Sequence, residues 1–150
     1  MNISQKGVEL IKKFEGFSDK PYRCPAGKLT IGYGHVIQPE RERFRSPITE
    51  VDAERILHND LSVAEGTIRK SVGVPLIQGQ YDALVSLVFN WGGINFLRSQ
   101  GLKYLNSSDY RLAAEEFFSE EKGIVKVHGT VLPGLVKRRQ AEWDLWNDKA

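Results

Sequence analysis

The sequence predicts a mostly helical α+β fold: a small lobe built on an antiparallel β-hairpin, a long connecting helix and a larger helical lobe. Three observations carry that prediction. The tight-turn signature Pro25-Ala26-Gly27 separates two short strand-forming runs. A capped stretch from Thr49 to Ser71 would form a helix of about 33 Å, long enough to bridge two lobes. The following stretch, Gln78–Trp91, is apolar around most of a helical circumference, as expected of a central buried helix.

The 150 residues suit a single domain. Its expected parts are a β-containing lobe over 16–50, a connecting helix over 50–72 and a helical lobe over 73–150, with a first helix over 1–15 packing on the last of these. A hydrophobic fraction of 41%, with three Trp and seven Phe, is ample for a packed core and excludes a disordered chain. The formal charge of +2 argues against a dedicated nucleic-acid binder. Between Glu121 and Glu142 no acid occurs while Lys122, Lys126, Lys137, Arg138 and Arg139 accumulate, which reads either as a patch for a polyanion or as a solvated basic helix end. One cysteine allows no internal disulfide. The N-terminal MNISQKGVELIKKFEG holds no apolar run long enough for a signal peptide. No segment approaches the ~18 consecutive apolar residues of a membrane span, so synthesis in a cytoplasm without stable membrane insertion is expected.

In chain order, residues 4–15 read as a helix with Ser4 as N-cap, Val8, Ile11 and Phe14 as its apolar stripe and Gly16 at its end. Glu15 falls in the last turn, where the helix dipole disfavours a carboxylate and pushes towards the protonated form that a general acid needs. A surface glutamate ending a helix is the bland alternative. The three-residue hairpin loop pairs Cys24 with Lys28 and Tyr22 with Thr30. Cys24, Tyr22 and Thr30 then share one face, with Leu29 and Ile31 on the other. Gly32 and Gly34 leave the backbone bare, as where a ligand or another chain segment comes close. The loop QPERERFRSP over 38–47 carries no evident chemistry. Thr49 and Asp52 form a capping-box pair for the long helix, which Gly73 and Pro75 stop. Short helices near 94–106 and 109–119, the second capped by Ser108 or Asp109, precede a last helix from Leu135 to Trp146.

His35, His58 and His128 belong to no metal-binding motif, and neither a phosphate loop nor a dinucleotide fingerprint is present, so no cofactor is expected. A Cys24–His35 nucleophilic pair leaves Glu15 and Thr30 without a role. What remains is an acid, a thiol and a hydroxyl converging on one groove. Glycosidic cleavage needs such a set: a proton for the leaving oxygen and groups that handle water on the opposite side.

The run FEG, the eight residues separating Glu15 from Cys24, the five separating Cys24 from Thr30, and TIGYGH together closely resemble the phage-type lysozymes, or endolysins, of glycoside hydrolase family twenty-four. QYDALVSLVFNWGG at 80–93 and LPGLVKRRQAEWDLW at 132–146 extend the resemblance in the same order. It implies a lysozyme-like fold and hydrolysis of the β-1,4 bond between N-acetylmuramic acid and N-acetylglucosamine of peptidoglycan. By position, Glu15 matches the family's general acid and Thr30 its water-positioning threonine. Cys24 falls where many members carry aspartate and others cysteine. His35, Val36, Phe89 and Asn90 match positions near the substrate cleft, His35 in a structural capacity, and the bare backbone at Gly32 joins them as an expected substrate contact. A catalytically inactive peptidoglycan-binding module and a lytic transglycosylase are the competing readings. The resemblance also implies a monomer released to the periplasmic face of the wall through a separate holin.

Overall fold

The computed structural model describes residues 1–44 and 47–148, so Arg45 and Ser46 of the charged loop lie outside the described residues. The first helix, α1 (Gln5–Glu15), starts where Ser4 Oγ accepts from Gly7 N and ends at Gly16, whose φ of 70° suits a residue without a side chain. Its N-terminus is tied to the molecule's interior by the buried Asp82, which accepts from both the backbone N–H and the hydroxyl of Ser4.

Strands β1 (Ser18–Arg23), β2 (Leu29–Gly32) and β3 (His35–Val36) form an antiparallel sheet in that order. The hairpin register is the expected one. Tyr22 faces Thr30, Arg23 faces Leu29, and Cys24 N donates to Lys28 O at 3.0 Å. Gly27, with φ of 81°, closes the loop. Strand β3 has no counterpart in the sequence reading. Two residues are too few to show alternation.

Helix α2 (Glu50–Ser71) has the expected capping box, Thr49 and Asp52 each accepting from the other's backbone N–H. Its buried face of Ala53, Leu57, Leu61, Ala64 and Ile68 runs the length of the helix. Helix α3 (Gln78–Trp91) is buried without interruption from Tyr81 to Val88. It packs mainly against the last helix, α7 (Pro133–Trp146), and also against α1 and α2. One hydrophobic core joins Ile31 of the sheet through Leu57 and Leu87 to Phe117, Phe118 and Trp146.

The segment expected as one helix near 94–106 is two, α4 (Gly93–Leu97) and α5 (Gln100–Asn106). Ser99 breaks it by capping α5, its Oγ accepting from Leu102 N. Asp109, not Ser108, caps α6 (Tyr110–Phe118). A second hairpin, β4 (Lys126–Val127) and β5 (Thr130–Val131), turns through His128-Gly129. Both turn residues have positive φ, as a two-residue hairpin of this kind demands.

The basic stretch is only in part the exposed run expected of it. Arg138 and Arg139 are buried on the inner face of α7, 4% and 0% exposed, and are paired with acids. Of the five cations only Lys122, Lys126 and Lys137 remain exposed.

Candidate active site

A cleft of about 460 Å³ runs between the sheet and the helices. Glu15 reaches it from the end of α1, and Tyr22, Cys24, Lys28 and Thr30 from the first hairpin. Val36, Phe89 and Asn90 line it too, as do Lys126 and Val127 of the second hairpin. Glu15, Cys24 and Thr30 therefore meet at one site, with three of the five proposed substrate-binding residues.

The other two stand elsewhere. Gly32 (φ 67°) lies against α2, where an added Cβ would come within 3.3 Å of Ala53 Cβ. The close approach inferred there is that of a helix. The glycine that matters to the cleft is Gly34, where a Cβ would fall 2.3 Å from Glu15 Oε1. At φ of 75° and with no side chain, Gly34 lets the β2–β3 turn run directly past the carboxylate.

His35 is a strut. Its Nδ1 lies 2.8 Å from Asp60 Oδ2 of α2, and its Nε2 2.8 Å from Glu42 Oε2. With both nitrogens engaged, it cannot serve Cys24 as a base. The hydrogen bond with Asp60 is the largest influence holding the imidazole above its ordinary pKa; burial opposes it, and the charge of Asp60 and the pairing with Glu42 add to it. A raised folded-state value means stabilisation that is complete below about pH 6.5 and lost as pH rises through that folded value. Asp60→Asn is therefore expected to lower the melting temperature more at about pH 6 than at about pH 9. An equal drop at both, by calorimetry, would show that the pair's charge contributes nothing.

Glu15 is not the free helix-end carboxylate of the bland reading. Arg138 Nη1 donates to its Oε2 at 2.5 Å. Arg138 is held in turn from Ser86 of α3, whose hydroxyl lies 3.3 Å from its Nε and Nη2. Sequence reasoning missed Arg138 because a cation in an acid-free stretch reads as solvated. The signal was its spacing from Glu142, one helical turn on.

Burial pushes the Cys24 thiol up, but hydrogen bonds from the Lys28 and Ala26 backbone N–H groups and from the Thr30 hydroxyl outweigh it and hold the thiol below its ordinary pKa. Backbone dipoles, not Arg23 or Lys28 side chains, thus favour the thiolate. Thr30, 2% exposed, donates its one hydroxyl proton to Lys28 O at 2.9 Å. That leaves its lone pairs for a water and lets the proton swing to sulfur when the thiol ionises. Tyr22 stands between the two poles of the site. Its hydroxyl is pushed up by burial, then by the negative charges of Glu15 and Cys24.

Iodoacetamide is accordingly expected to modify Cys24 at about pH 7 several-fold faster in the folded protein than in the denatured chain. The adduct would fill the cleft that Cys24 lines and block access to Glu15 and Thr30. A mass-spectrometric time course showing equal rates would remove the hydrogen-bonded thiolate from the account.

A helix-end carboxylate facing a small sheet across a cleft, on a mostly helical body, defines a lysozyme-like protein. Residues 12–142 match the phage lysozyme family model, and the chain belongs to that family of peptidoglycan-hydrolysing enzymes. It is 45% identical to the endolysin of Acyrthosiphon pisum secondary endosymbiont phage 1 over 142 residues, 95% of each chain. It is 40% identical to the endolysin of Bacillus phage B103 over 151 aligned residues, which are 97% of this chain but 54% of that protein. The structure of an endolysin from Escherichia coli O157:H7 phage FAHEc1 superposes with a TM-score of 0.85 at 32% identity, covering 100% of this chain and 96% of the other.

Proposed function

We propose that the protein is a muramidase that cleaves the β-1,4 bond between N-acetylmuramic acid and N-acetylglucosamine, with Glu15 as general acid. The observation that carries this reading is the convergence of Glu15, Cys24 and Thr30 on one cleft. In the proposed reaction Glu15 gives its proton to the leaving sugar oxygen as the bond to the anomeric carbon breaks. A water bound to Thr30 attacks that carbon from the opposite face and yields its proton to the Cys24 thiolate. The single displacement inverts the anomeric centre and releases an α-product. Val36, Phe89 and Asn90 supply apolar and amide contacts for the sugars.

In this reading residues 1–150 work as one monomeric domain. The sheet forms the smaller lobe, α2 the connection and the remaining helices the larger lobe. The substrate is wall peptidoglycan on the periplasmic side, reached from the cytoplasm of the host through a separate holin. Among the described residues no helix is long and apolar enough to cross a membrane.

The test is muropeptide analysis of digested peptidoglycan by wild type and Glu15→Gln in parallel. Hydrated reducing ends released as the α-anomer by wild type alone support the proposal. A β-product or a sugar–cysteine adduct would replace water attack by covalent capture. Anhydro ends, lighter by about 18 Da through the loss of one water, would make the enzyme a transglycosylase acting without external water.

A further inference from the structure

Beneath the cleft, between α3 and α7, lies a buried charge cluster that the proposed reaction leaves without a role. Glu142 is fully buried, and its carboxylate serves both neighbouring arginines. Oε2 lies 3.0 Å from Arg139 Nη2 and 3.4 Å from Arg138 Nε and accepts from Ser86 Oγ at 2.5 Å, while Oε1 is 2.6 Å from Arg139 Nε. The two arginines then diverge. Arg138 goes to Glu15. Arg139, itself fully buried, donates from Nη2 to Asn90 Oδ1 at 2.9 Å and from Nη1 to Ile124 O at 3.3 Å. One carboxylate thus stands behind two residues of the cleft wall, one for the chemistry and one for the sugar.

We propose that Glu142 is the positioning residue of this enzyme, setting through Arg138 the placement of Glu15 and through Arg139 the orientation of the Asn90 amide. The inference rests on the muramidase reading with Glu15 as acid. Physically, two guanidinium groups and two carboxylates make a buried cluster of zero net charge. Removing the charge of Glu142 leaves two like-charged guanidinium groups side by side, so Arg138 and Arg139 move apart and away from the places that hold Glu15 and Asn90. The other charged groups around Glu15 do not substitute for it. Lys12 on the same helix is committed to Glu54 and Glu9, and Tyr22 and Cys24 face the carboxylate from β1 and its turn. Helix α3 contributes the neutral Ser86 and Asn90. Asn90 depends on the same carboxylate because Glu142 is the acid paired with Arg139, its Oε1 2.6 Å from Arg139 Nε.

Two variants separate the two arms, assayed on purified glycan strands with thermal unfolding in parallel. Glu142→Gln is expected to lower kcat by about 10- to 100-fold, as for a displaced catalytic group, and to raise KM several-fold as Asn90 loses its hold. The double variant Arg139→Met/Glu142→Met removes one charge of each sign. With the neighbouring cation gone as well, Arg138 keeps its place on Glu15 and Ser86, so kcat is expected to recover most of the loss while KM stays raised several-fold, since Asn90 has lost Arg139. A purely structural Glu142 would change melting temperature and leave kcat and KM where they were, and that result overturns the proposal. If Glu142→Gln does not fold, the double variant decides: a raised KM supports the proposal and a wild-type KM overturns it. Glu15→Gln serves as the control. Activity retained there refutes the acid assignment itself, whereas an inactive Glu15→Gln beside a wild-type-like Glu142→Gln refutes only the positioning role.

Discussion

Glu15→Gln is expected to lower the rate of glycan cleavage by about 10²- to 10⁴-fold, the usual worth of a positioned general acid, while the protein still folds and binds wall fragments. The amide nearly reproduces the carboxylate in shape and can still accept from Arg138 Nη1, but it has no proton to give a departing sugar oxygen. Turnover of purified peptidoglycan, set beside binding of the same material, checks both halves. A variant that clears sacculi at the wild-type rate would dissociate Glu15 from the chemistry. Loss of binding together with turnover would recast it as a substrate contact.

Arg138→Ala is expected to be the most damaging substitution for stability. The side chain is 4% exposed and lies between Glu15, 18% exposed, and Glu142, 0% exposed. Removing one member of a buried pair costs about 3–5 kcal/mol, because a carboxylate is left in the interior without its partner. In a chain of this size that corresponds to a fall in melting temperature of about 10 °C. Arg138→Lys restores the charge but not the fork that reaches Ser86 and Glu15 together, so it should recover only part of the loss. Chemical denaturation of the three proteins measures the series, and an alanine variant within about 1 kcal/mol of wild type would mean that the cluster contributes no more than an exposed pair.

Much of the cleft wall was legible because local rules and tertiary structure agree there. Pro25-Ala26-Gly27 permits one loop geometry. That geometry sets the register, and the register brings Thr30 beside Cys24. The long helix announced itself through Thr49 and Asp52. What escaped the sequence reading was set by burial or by elements too short for a pattern. The second hairpin offers two residues on each side of His128-Gly129, and its turn is closed by a histidine held at φ of 51°. Arg138 and Arg139 are charged residues in a segment without acids, and only the Glu142 that follows them signals that they point inward. Gly32 and Gly34 look alike in TIGYGH, yet one makes room for a helix and the other for the carboxylate.

The ion pair between Glu15 and Arg138 joins residues 123 positions apart in the chain. Glu15 leaves the ribosome well before its partner. A nascent chain whose emerged part stops at α6 already carries Glu15, Cys24 and Thr30, but it lacks the guanidinium that holds the first of them and the second hairpin that walls the cleft. The cleft is therefore a product of the whole folded domain and not of the first hairpin alone: the groups that arrange Glu15 come from α7, far along the chain.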